Sequence, residues 1–81
     1  MCYIMVIKVG KLGEDSIKVQ SLLTEFGCSI KTRIGMHEAG DKCGTDGLIV
    51  LNLTGDKGEM EKLDKALNEL SSVKAKIVVM D

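Results

Sequence analysis

His37, Glu38, Asp41 and Cys43 crowd into one stretch of the chain, and all four are metal-ligating types. An imidazole, a thiolate and carboxylates together can hold a borderline cation such as zinc. Their spacing matches no metal-finger pattern, and a glycine-rich solvated segment collects polar residues without any metal. A metal-binding or metal-responsive 37–43 loop is therefore an alternative reading, and no cofactor is assigned. A second candidate is the segment Gly10, Lys11, Leu12, Gly13 and Asp15. Glycines beside a helix start let a ligand approach backbone amides, a use suited to anions. No GxGxxG or phosphate-loop lysine motif accompanies them. The metal-chaperone arrangement would need a CxxC pair in that loop, and Gly10-Lys11-Leu12-Gly13 holds no cysteine.

Catalysis finds little support. The chain has one histidine, no serine–histidine–acid grouping, and no carboxylate pair in an apolar setting. A small hydrolase of acylphosphatase type would need an arginine cradle in the first loop, where Lys11 is the lone cation. Cys2, Cys28 and Cys43 are odd in number and form no CxxC pair, so a disulfide framework is not expected and a reducing cytoplasm fits. Cys28 follows Gly27 at a helix end, where the dipole disfavours a thiolate. Cys28 and Cys2 are expected as small, partly buried residues.

The elements that would position these groups follow from hydrophobic periodicity. Residues 2–9 are almost continuously apolar and stop at Gly10, which reads as a strand. A helix is expected over about 15–26, N-capped by Asp15, with Val19, Leu22, Leu23 and Phe26 as its apolar stripe. Gly27 sits where a left-handed C-terminal residue belongs. Residues 29–36 alternate: Ile30, Thr32, Ile34 and Met36 oppose Ser29, Lys31 and Arg33. That is a half-buried strand, and its cations mark an edge. Residues 37–47 are a loop. Residues 48–53 form a second apolar strand ended by Thr54-Gly55. Asp56 with Glu59 gives a capping-box signal for a helix carrying Met60, Leu63, Ala66, Leu67 and Leu70. Residues 73–80 close the chain as a strand in which Lys74 and Lys76 alternate with Val73, Ala75 and Ile77.

The order βαββαβ predicts a ferredoxin-like α+β sandwich: a four-stranded antiparallel sheet with two helices on one face. The most apolar strands belong in the middle, giving the spatial order fourth, first, third, second. With 81 residues, one domain spanning 1–81 is expected. The net charge of −1 and the scarcity of aromatics argue against direct nucleic-acid binding. The N-terminal apolar run is too short to span a membrane and lacks the marks of a secretory signal.

Two helices leave the reverse of the sheet uncovered, and alternation puts large apolar residues there whichever side the helices take. Covering ~400 Å² per subunit would contribute on the order of 10 kcal/mol before association costs. A homo-oligomer, most simply a two-fold dimer, is expected, with Ile4, Val6, Ile49 and Leu51 as interface candidates.

The stretch from Val19 to Gly27, then Ile30 and Arg33-Ile34-Gly35-Met36, resembles the family of iron-only hydrogenase system regulators. Ile49–Leu53, Leu63–Leu67 and Val73–Lys76 look like the rest of that family, so the resemblance covers nearly the whole chain. It departs after Gly35, where relatives have a shorter, proline-containing connection. The resemblance implies an ACT-like regulatory domain that is non-catalytic and oligomeric. It also implies a small-molecule effector and a protein partner in a hydrogenase system.

Overall fold

The two near-continuous apolar runs become the central strands. The computed structural model describes residues 2–10, 14–37 and 47–80. In chain order it has β1 (Cys2–Val9), α1 (Glu14–Glu25), a 3-10 turn (Gly27–Ser29), β2 (Ile30–His37), β3 (Gly47–Leu53), α2 (Lys57–Asn68) and β4 (Val73–Met80). The strands form one sheet in the order β2-β3-β1-β4, every neighbouring pair antiparallel. This is the ferredoxin-like topology and strand order that the pattern predicts.

Register decides which side chains meet. Met5, Ile7 and Val9 of β1 stand opposite Leu51, Ile49 and Gly47 of β3, and opposite Ile77, Ala75 and Val73 of β4. Directly opposed residues share a face. This row is the floor of the core, covered by Val19 and Leu23 of α1 and by Met60, Leu63 and Leu67 of α2. Both expected helical stripes thus pack as read, with Leu22, Phe26 and Leu70 partly buried at the margin.

Three local features differ from the sequence reading. The first helix begins at Glu14, so Asp15 lies inside the first turn and is not the N-cap. Gly27 opens a 3-10 turn and does not take a left-handed backbone; among the described glycines that conformation belongs to Gly55, with φ +89°, between β3 and α2. The third is an irregularity in β2 between Ile30 and Thr32. Ile30 stands opposite Leu53 and packs on the core, whereas Thr32 and Ile34 stand opposite Asn52 and Val50. The extra residue flips the face, so the alternation read over 29–36 is broken after Ile30. Asp56 caps α2 as expected, its Oδ1 accepting from the Gly58 amide at 2.9 Å. Glu59 forms an ion pair with Lys62 at 3.6 Å.

Candidate functional site

Of the candidate anion-binding segment 10–15, Lys11, Leu12 and Gly13 lie outside the described residues. Its two ends are bound into the fold. The Gly10 amide donates to the Ser72 carbonyl at 2.6 Å. Asp15 Oδ2 accepts from the Ser72 amide at 3.0 Å and the Ser72 hydroxyl at 2.6 Å. One serine in the α2–β4 turn therefore latches the end of β1 and the start of α1. The Ser72 hydroxyl, then its amide, hold the Asp15 carboxyl below its ordinary range. The oxygen that the sequence offered as part of an anion cradle is a carboxylate serving as a structural acceptor.

The metal candidates Glu38, Asp41 and Cys43 lie outside the described residues; the backbone of His37 ends β2 opposite Gly47. Among the described residues no group of three histidine, cysteine, aspartate or glutamate side chains is placed to hold a metal. Cys2 and Cys28 are both exposed, which corrects their expected partial burial. Cys2 begins an outer row of β1, and Cys28 sits in the 3-10 turn.

The open face of the sheet carries Ile4, Val6 and Lys8 of β1 and Leu48, Val50 and Asn52 of β3. It also carries Thr32 and Ile34 of β2, with Lys74, Lys76, Val78 and Met80 of β4. No element of the described chain covers it. Ile34 is 54% exposed, Met80 53% and Leu48 37%. Of the four interface candidates, Ile4 and Val6 lie on this face. Ile49 and Leu51 do not: they are 8% and 0% exposed, beneath the helices. Ile4 pairs with Asn52 and Val6 with Val50, so a face holding Ile4 and Val6 must take Leu48 and Val50 from β3. Periodicity alone assigned residues to two sides within each strand, and only the β1–β3 register joins the sides across strands.

At one corner of this face a shallow hollow lies between β1 and β4, lined by Val6, Lys8, Lys74, Ala75, Lys76 and Val78. Beside β2 a second hollow runs along α1 past Ile17, Gln20, Ser21, Thr24 and Glu25. The β2 irregularity turns Arg33 to this side, where its guanidinium donates to Gln20 Oε1. No helix among the described residues is long and apolar enough to cross a membrane.

Fold and site together define a small ferredoxin-like module whose helix-free sheet face is apolar with a cationic corner. Known structures share this architecture. The chain is similar to the uncharacterized protein TM1266 from Thermotoga maritima, with 26% identity, coverage of 99% of this chain and 96% of that one, and a TM-score of 0.86. It is similar in fold to CPII, a nitrogen regulatory PII-like protein from Thiomonas intermedia K12 bound to ADP, AMP and bicarbonate. There the identity is 12%, the coverage 95% and 87%, and the TM-score 0.65. SnoaB, a cofactor-independent oxygenase from Streptomyces nogalater, matches at 13% identity over 98% and 92% of the two chains, with a TM-score of 0.57. No protein-family model and no curated protein matches the chain. A regulator and an oxygenase on one fold show that the architecture alone does not select a chemistry.

Proposed function

We propose that this chain is a non-catalytic regulatory or ligand-sensing module that works as a homo-oligomer in an iron-only hydrogenase system. It responds to a small-molecule effector and acts on a protein partner, without touching nucleic acid or membrane. The observation that carries the reading is the open sheet face. Ile4, Val6, Ile34, Leu48, Val50 and Val78 form a contiguous apolar surface with no cover from the described chain. Such a patch on a small domain marks an interface. The PII-like neighbour, a regulator bound to nucleotides and bicarbonate, supports ligand sensing on this scaffold. The hydrogenase assignment rests on the sequence resemblance. A hydrolase reading is weaker, because the chain's one arginine, Arg33, stands in β2 and not in the first loop.

Two measurements on the same preparation test the reading. Sedimentation over a range of protein concentrations is expected to show a mass above that of one chain. A thermal-shift screen with amino acids, nucleotides and divalent metals is expected to find a class that raises the melting temperature, because a ligand of the native state stabilises by mass action. A single-chain mass throughout, with no shift from any class, overturns the proposal.

A further inference from the structure

The formal charge of −1 conceals a segregation. The four strands carry Lys8, Lys31, Arg33, Lys74 and Lys76 and not one aspartate or glutamate. Among the described residues every aspartate and glutamate lies in a helix or a turn. Three of the strand cations, Lys8, Lys74 and Lys76, stand on the open face at a single corner. Lys8 is directly opposite Lys74, a placement that brings the two Cβ atoms to roughly 5 Å. Lys76 follows on the same side of β4, opposite Val6.

Lysines on an outer strand have an ordinary use in discouraging strand addition. That use does not account for this corner. Lys8 belongs to β1, an inner strand with β3 on one side and β4 on the other. On β4 itself, the outward backbone groups of Ala75 are already occupied. Its amide donates to Asn68 Oδ1 at 2.8 Å, and its carbonyl accepts from Asn68 Nδ2 at 3.0 Å. The three lysines share a shallow hollow of about 360 Å³ with the apolar side chains of Val6, Ala75 and Val78. Small-ligand sites span roughly 300–1,000 Å³ and combine an apolar lining with a few convergent polar groups.

We infer that this β1–β4 corner binds a small anion with an apolar body, a carboxylate or phosphate ester on a short hydrocarbon. The lysines meet the charged head, and Val6 and Val78 meet the body. This inference rests on the ligand-sensing half of the proposed function; Val6 and Val78 also belong to the open face proposed for assembly, so a bound anion and a second subunit meet at the same two side chains.

The test is titration of the 15N-labelled full chain, followed by amide resonances, with octanoate, octyl phosphate, inorganic phosphate and uncharged octyl glucoside. Octanoate or octyl phosphate is expected to shift Val6, Lys8 and residues 74–78, with an affinity that falls as salt is added. Inorganic phosphate and octyl glucoside are each expected to bind more weakly, since each supplies one half of the recognition. In the double variant Lys74→Gln, Lys76→Gln the dissociation constant should rise about fivefold to tenfold, the range two exposed charge contacts give. Lys57→Gln, on the distant α2 surface, should leave it unchanged. Equal binding by the double variant, phosphate binding as well as its octyl ester, or shifts confined to another part of the molecule overturn the inference. So does the absence of any shift. Sedimentation of the same samples separates the two claims: an oligomer that ignores these anions refutes the site and leaves the assembly standing.

Discussion

Asp15 shows how a residue type can be read correctly and its task misread. A carboxylate near a helix start is the common signal of an N-cap, yet here the carboxyl reaches across the chain to Ser72. No local spacing reveals a partner 57 positions away. The consequence is a pH dependence with a definite sign. The two Ser72 hydrogen bonds lower the Asp15 pKa in the folded state from an ordinary 3.8. The latch therefore contributes its full stability above that ordinary value and loses it as pH falls through the lowered folded value. Urea denaturation repeated from neutral pH into the acid range should show Asp15→Asn less stable than the parent at neutral pH, with the gap closing in acid. A gap that stayed constant with pH would show that the carboxylate charge has no part in the latch. Asp56 is the opposite case, a residue whose local signal was sufficient. Its cap on Gly58 spans two positions, and Asp56→Ala should cost about 1 kcal/mol in the same assay.

At the scale of elements, the strands and helices were legible because each one's burial follows its own period. The apolar runs 2–9 and 73–80 have the bounds of β1 and β4, and the stripes Val19–Leu23 and Met60–Leu63–Leu67 pack on the core as their spacing predicts. The β2 irregularity was hidden, because one extra residue in an alternating strand leaves the apolar pattern unchanged and alters only the partner strand's view of it. Asn68 was hidden too. Its amide closes the outer edge of β4 at Ala75 while also donating to the Asp64 carbonyl at 2.9 Å, so α2 and β4 are stitched by one side chain. Asn68→Ala should therefore cost about 1 kcal/mol. It should also speed hydrogen exchange at the Ala75 amide, which an edge strand would otherwise leave open to water. Unchanged exchange at Ala75 in that variant would mean the amide is protected by something other than Asn68.

At the scale of the molecule, the sequence showed that one sheet face would be bare but not which residues shared it. The interface set Ile4, Val6, Ile49 and Leu51 mixed two faces, since choosing between them requires the β1–β3 register. Neighbouring residues of β3 therefore have opposite duties. Val50 faces outward opposite Val6, and Leu51 is fully buried opposite Met5. A protein stabilised by self-association melts at a temperature that rises with its own concentration. Val50→Glu places a charge in the open face while leaving the helix-covered core intact, so it should yield a folded single chain whose melting temperature no longer depends on concentration. Leu51→Ala removes core packing and should cost about 2–5 kcal/mol. It should lower the melting temperature at every concentration and keep the concentration dependence of the parent. The two substitutions are adjacent in sequence and differ only in the face they touch. If Val50→Glu retained the concentration dependence, the chain would associate through some surface other than the one its helices leave open.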